Sequence, residues 1–301
     1  MSVASAAFVL EATSVDYSRP FIPERFTPLS YTESYQELTE TQKLRYNQLH
    51  GLYFNEQIMF FEAALGQTLL EALLRQPWPA ALEEGLRRLR EEERRHTEMF
   101  RQLNRLGAPH IYAARDFYFV QMPKLWKGIS DWAARHPLYF PLFVWLMLLQ
   151  EERSLYYSRE FVRQRGLLEP HFVETQRRHM ADEAKHVRLD EAMIDALWAH
   201  ATPSLRKINA RLFAWMLREF FNTPRRAQLR VVEELVREFP GLRPRRREMR
   251  RQMLALSRDA EYQTSLYSRA IVPRTFSRFD DCPEFKRLRI PGYCRLAKEA
   301  S

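Results

Sequence analysis

The sequence predicts an all-α protein centred on a four-helix bundle, with an irregular N-terminal arm before it and additional C-terminal helices after it. Only 8 of the 301 residues are glycine. Apolar residues recur at helical spacing almost throughout, with little of the strict alternation that marks strands. Two Glu-x-x-His quartets, Glu93 to His96 and Glu183 to His186, fall in long helical stretches, and two further helices carry a glutamate inside an apolar row. One Glu from each of two helices, plus Glu-x-x-His from each of two others, is the ligand set of a dinuclear carboxylate site inside such a bundle.

Residues 1–40, with Pro20, Pro23 and Pro28 among Ser, Thr and Tyr, read as an ordered arm wrapping the bundle. The first long helix starts near Thr39 or Thr41 and runs to about Arg75, ended by Pro77 and Pro79. A second runs from about Pro79 to Leu106, with Gly107 in the helix-ending position. After a crossover containing Pro123 and Trp126, a third begins near Pro137 and ends before Gly166, and a fourth spans about Pro170 to Ala201. The segments 204–222, 225–239 and 244–270 read as further helices, and the last stretch, with Pro273, Pro283 and Pro291, as a tail. No repeat or low-complexity linker divides the chain. A single domain is expected, with the arm at 1–40, the metal-binding core at 41–201, additional helices at 202–270 and the tail at 271–301.

A composition 46% hydrophobic excludes a disordered chain, and 28% charged residues imply a large wetted surface. The net charge of +9 does not by itself indicate nucleic acid, because 38 acidic residues are interleaved with 47 basic ones. Only the run from Arg243 to Arg251 forms a basic block, and it reads as the solvated start of a late helix, without the aromatic interleaving of a nucleic-acid site. Cys282 and Cys294 make no metal motif and point to a reducing compartment. The first ten residues lack a basic region and are followed by Glu11, which argues against a signal peptide. The most apolar run, Leu138 to Leu149, is short of the ~20 residues needed to span a bilayer. The expectation is a cytoplasmic protein with neither a membrane nor a nucleic-acid partner.

The second helix carries Leu82, Leu86, Leu89, Glu93, His96, Phe100 and Leu103 on one face, while Glu91, Glu92, Arg94, Arg95 and Glu98 point elsewhere and are expected in solvent. A carboxylate and an imidazole on a leucine stripe carry a desolvation penalty that a bound cation would offset; a buried Glu–His pair is the plainer alternative. The fourth helix places His179, Glu183 and His186 at i, i+4 and i+7 on the stripe of Phe172, Gln176, Met193 and Leu197, so the three side chains project together. Asp182 lies off that stripe, towards water or a neighbouring helix.

In the third helix, Glu152 interrupts the row Leu138, Leu142, Trp145, Leu149, Tyr156 and is preferred over its competitor Glu151, whose row continues through polar Ser154 and Ser158. In the first helix, Glu62 shares a stripe with Asn55, Ile58, Leu65 and Leu69, and Glu56 lies on a rival stripe. With a turn centred at Pro77 and Trp78, Glu62 and Glu93 lie at equal height, whereas Glu56 would sit about 9 Å too low at 1.5 Å rise per residue. Glu62 is taken, with Glu56 as the alternative.

Together these residues resemble the ferritin-like di-iron oxygenases, and specifically the p-aminobenzoate N-oxygenase family. That family resembles the general ligand set with one histidine added, four positions before the Glu of the second quartet, and the segment His179 to His186 matches His-x-x-x-Glu-x-x-His. The resemblance spans about residues 45–200. It implies metal ligands Glu62, Glu93, His96, Glu152, His179, Glu183 and His186, with Glu93 and His96 on one iron and His179 and His186 on the other.

Carboxylate and imidazole donors without thiolate suit iron, with manganese as the alternative. The resemblance implies two Fe ions, dioxygen as co-substrate, an external electron donor and a small-molecule amine, an arylamine taken towards hydroxylamine, nitroso or nitro; homodimerisation is left open. Oxidation at carbon, iron storage and a metal-free scaffold are the competing readings, the extra His179 speaking against storage. Tyr53, Phe61, Trp145 and Tyr156 are candidates to line a substrate pocket, although rings at these positions serve equally as core. An acidic substrate would need a cation such as Arg159.

Overall fold

In a computed structural model, the structure describes residues 14–293 apart from 223 and 287. Cys294 and the segment relevant to a signal peptide lie outside the described residues. Helix α1 is one continuous rod built from Glu40–Met59, a π-helical stretch Phe60–Gly66 and Gln67–Leu73. Thr39 starts it with a reciprocal capping box to Gln42, as the Thr-x-x-Gln spacing permits. Helix α2 (Ala80–Gly107) folds back beside α1 after a short connection. A second helical hairpin, α4 (Leu142–Arg163) and α5 (Pro170–His200), follows a long crossover that itself contains α3 (Lys124–Ala134). Two antiparallel hairpins joined by one long crossover is the connectivity of ferritin-like bundles. The described residues contain no strand, and none of their helices is long and apolar enough to cross a membrane.

Beyond the bundle lie α6 (Pro203–Met216), running into a π-helical turn Leu217–Phe221, then α7 (Ala227–Glu238), α8 (Arg246–Ala255), α9 (Ala260–Leu266) and α10 (Pro273–Asp281). Helix α7 packs on α1, while α6 and α10 pack on α4. Four expectations need correction. The stretch from residue 271, read as a tail, contains the packed helix α10. The third bundle helix starts at Leu142 and not near Pro137, because residues 137–141 turn. The crossover carries a helix, α3, that its prolines concealed. The segment 244–270 is divided at Asp259, which leaves the helical backbone and caps α9 through the main-chain N–H of Tyr262.

The arm is pinned to the bundle by Asn47, whose side-chain oxygen accepts from the main-chain N–H of Phe21 and Ile22 while its amide donates to the Ile22 carbonyl. Phe21 approaches α1 at Gly51, where an added Cβ would come within 2.7 Å of the Phe21 Cβ, so the glycine sets this contact. Most of the buried apolar side chains form one cluster running from the arm through the bundle to α10.

Candidate metal centre

Six of the residues singled out in the sequence meet in the middle of the bundle. Glu62 projects from the π-helical stretch of α1, Glu93 and His96 from α2, and His179, Glu183 and His186 from α5; all six are buried. Glu183 is central. Its Oε1 lies 3.0 Å from His179 Nε2, 3.6 Å from His186 Nδ1 and 3.8 Å from His96 Nδ1. Glu62 Oε1 is 3.0 Å from His179 Nε2, and Glu93 Oε1 is 3.2 Å from His186 Nδ1. A π-helical turn widens α1 at the point where it presents Glu62, a feature frequent at functional positions in helices. The turn needs Gly66, since a Cβ there would come within 2.9 Å of the Phe61 carbonyl oxygen.

From α4 it is Glu151 that faces this group, with Oε2 3.7 Å from His186 Nδ1. The preference for Glu152 is corrected here. Its carboxylate accepts from the main-chain N–H of Arg274 and Thr275 and from the Thr275 hydroxyl, which places it at the N-terminus of α10, on the other side of α4. The row Trp145, Leu149, Glu152 is buried, but its Trp145 packs against Phe279 and Phe285 of the C-terminal segment instead of facing the bundle centre. Glu56 is likewise committed elsewhere, accepting from the Tyr112 hydroxyl and from the main-chain N–H of Tyr118, Phe119 and Val120.

Each histidine is held by a second partner on its outward nitrogen or neighbouring edge. His96 Nε2 contacts Asp182 at 3.4 Å, His186 Nε2 contacts Glu92 at 2.9 Å, and His179 Nδ1 contacts the Ser154 hydroxyl at 3.3 Å. Such outer contacts orient imidazoles for metal ligation. Glu92 is therefore buried and structural, contrary to the solvated place expected for it. A sequence signal was present: an acidic residue stands directly before each Glu-x-x-His, and each of the two crosses to the histidine of the opposite helix.

The electrostatics of the cluster are those of a cation site. Burial, reinforced by the nearby charges of Glu93 and Glu151, pushes the Glu62 carboxyl well above the usual carboxylate range. Burial and the Glu151 charge do the same to Glu183. Burial and the neighbouring imidazoles His96 and His186 hold His179 well below its ordinary value, so it is neutral and free to donate a lone pair. Among the described residues, Glu93 Oε1, both oxygens of Glu183, His96 Nδ1 and His186 Nδ1 are buried without a hydrogen-bond partner, and all of them point inward. Buried polar atoms are seldom left so. Against the effect of burial, contacts with Glu151, Glu92 and Glu93 push His186 well above its ordinary value, so a bound cation displaces a proton there. Four facing carboxylates, once ionised, balance two divalent cations, and three imidazoles complete the donor set; the residues fit a metal pair.

A small chamber of about 60 Å³ lies against the cluster, lined by Glu62, Glu151 and His179 together with Phe54, Ile58 and Phe61. It adjoins a larger cavity of about 270 Å³, and Gln57, Phe61 and Arg153 line both. Tyr53 and Phe61 line the larger cavity as expected for pocket residues, whereas Trp145 belongs to the core beside α10 and Tyr156 packs on Phe26 of the arm. Arg159 is exposed and lines neither cavity.

A helical bundle that buries carboxylates and imidazoles around a metal pair, with an apolar chamber beside them, defines the class of dinuclear iron oxygenases. The chain matches the family model of p-aminobenzoate N-oxygenase AurF over residues 10–266, most of its length, and belongs to that family. It is thus an oxidoreductase of the di-iron oxygenase type. A comparison with curated proteins finds no match.

Proposed function

We propose that this protein N-oxygenates an aromatic amine, with the iron pair held by Glu62, Glu93, His96, Glu151, His179, Glu183 and His186. The observation that carries the reading is the set of inward-facing buried donor atoms without partners, directly beside a chamber with one wall formed by Phe54, Ile58 and Phe61. Bound iron would supply the activation of dioxygen and the oxidising equivalents for oxygen transfer to nitrogen. The chain supplies everything around that chemistry. Glu92, Asp182 and Ser154 fix the three imidazoles and so limit how far the donor set can rearrange. Phe54, Ile58 and Phe61 present an apolar wall of the chamber against which an aromatic ring can pack. An aromatic amine is neutral near neutral pH, so it enters such a wall without a charge to desolvate and keeps its lone pair available.

The test is anaerobic loading of the purified protein with ferrous ion, exposure to oxygen followed by absorption spectroscopy, and product analysis with a panel of arylamines. About two irons per chain and oxygen-dependent hydroxylamine, nitroso or nitro products are expected. Oxygen consumption with products oxidised only at carbon, or with no organic product at all, would overturn the reading.

A further inference from the structure

We propose that Phe61 and Phe221 form a movable partition between the metal chamber and the larger cavity, and that parting them is what lets an aromatic ring reach the cluster. This deepens the N-oxygenase reading and rests on it for the aromatic nature of the ligand.

Size requires an opening. The chamber beside the cluster measures about 60 Å³, whereas a cavity that takes up a single benzene ring measures about 150 Å³. The outer cavity, at about 270 Å³, is large enough, but none of Glu62, Glu151 and His179 lines it. An aromatic amine with its nitrogen at the metals therefore has to extend its ring across the boundary between the two spaces.

Three side chains line both of them, Gln57, Phe61 and Arg153. Arg153 is held, with hydrogen bonds to Gln150 Oε1 and the Tyr157 hydroxyl and with its guanidinium centre 4.7 Å and 5.3 Å from the ring centroids of Tyr157 and Tyr267. Phe61 is half-buried and packs against Phe60 at 5.9 Å and Phe221 at 5.4 Å between ring centroids. Phe60 is its chain neighbour on α1, whereas Phe221 reaches it from the end of α6 and lines the outer cavity only. The contact between Phe61 and Phe221 thus joins two distant elements where the cavities meet, and breaking it costs an aromatic pair without stranding any hydrogen-bonding group. Both rings ride on π-helical turns, Phe60–Gly66 and Leu217–Phe221, a geometry frequent where a helix serves a function.

A partition and a pocket wall predict opposite signs. If Phe221 were only a wall, truncating it would remove contact with the bound ring and weaken binding. If it holds Phe61 shut, truncation removes a contact that binding has to break, and binding strengthens.

The experiment measures binding of 4-nitroaniline, by quenching of tryptophan fluorescence, and of azide, by absorption of the iron centre, to oxidised iron-loaded wild-type protein and to F221A, F221L and F220A. Trp126 and Trp215 border the outer cavity and report the aniline. F221A is expected to bind 4-nitroaniline about three- to tenfold more tightly, through faster association, with F221L between it and wild type. F220A removes a neighbouring ring of the same cavity, one that packs on Trp126 and Trp215, and is expected to match wild type. Azide, a three-atom ion, fits the chamber with the partition closed, so its affinity is expected to stay the same throughout. A 4-nitroaniline affinity of F221A equal to or below that of wild type, the same gain in F220A, or no 4-nitroaniline binding by any of these proteins overturns the proposal. Circular dichroism, iron content and azide affinity reveal a variant that is misfolded or disturbed at the metals; should F221A be one, F221L decides, and the absence of a gain there overturns the proposal. Binding is read without turnover, so failure of the partition leaves the N-oxygenase reading standing, whereas carbon oxidation with the F221A gain intact removes that reading and keeps the partition.

Discussion

Glu56 and Glu152 are 0% and 5% exposed, as deeply buried as Glu183 at 0% and Glu93 at 3%, yet the two groups are satisfied in different ways. The first pair is surrounded by donors: Glu56 receives main-chain N–H groups from residues 118–120, and Glu152 receives those of Arg274 and Thr275. The second pair faces other acids and imidazoles and keeps oxygens that form no hydrogen bond. Burial of a carboxylate therefore does not by itself mark a metal ligand in this protein; what separates these two pairs is the supply of donors, which Glu56 and Glu152 have and Glu93 and Glu183 lack. Glu56 and Glu152 spend their charge on joining the crossover and α10 to the bundle, and the cluster glutamates are left for cations.

The sharpest way to break this contrast is to change neighbours on one helix. Glu151→Ala is expected to lose most bound iron and all detectable oxygen-dependent turnover, whereas Glu152→Ala keeps its iron and loses about 1–3 kcal/mol of unfolding free energy through the stranded N–H groups of α10. Metal analysis alongside denaturant titration separates them, and equal iron retention would end the distinction. His179→Ala should keep the helical circular dichroism signal and lose most activity, because its Nε2 sits between Glu62 and Glu183; unchanged turnover would exclude it from the ligand set.

Smaller effects are expected one contact further out. Glu92→Gln and Asp182→Asn weaken the outward hold on His186 and His96, and each should lower iron affinity by about 10–100-fold without unfolding the bundle, measurable by chelator competition. Full affinity in both would mean that these contacts only pack the helices. The pH dependence follows from sign. Burial first, and neighbouring acid charges second, raise the Glu62 and Glu183 carboxyls, so the metal-free cluster retains protons above the ordinary carboxylate range that iron must displace. Iron affinity should accordingly fall as pH is lowered, by about tenfold per unit for each proton displaced, with protons released on loading. A dye-monitored titration showing no release would contradict the cluster electrostatics.

Much of the centre was legible because its helices are amphipathic in the ordinary way. On α2 and α5 one face is buried against the rest of the bundle, so a glutamate or histidine on the leucine stripe has only one direction to point. Helix α4 breaks that premise. It is covered by α5 on one side and by α6 and α10 on another, so the apolar rows carrying Glu151 and Glu152 are both buried, and periodicity cannot say which of them looks at the metals. The tail that decides the matter, with Phe276, Phe279 and Phe285 fully buried, has prolines that read as irregular. The N-terminal face of α10, which takes Glu152 away from the centre, appears only when residues 122 or more positions apart meet.

By itself the sequence determined the all-helical class, the order of the four long helices, the two Glu-x-x-His quartets and the added His179, since each depends on spacing within a helix, where 3.6 residues per turn fixes the face. The tertiary structure alone decided which α4 glutamate turns inward, that Glu92 and Asp182 cross to the opposite histidines, and that Phe61 and Phe221 meet where two cavities adjoin. Those outcomes depend on contacts between helices distant in the chain, and a helical period carries no information about which neighbour will cover a second buried face.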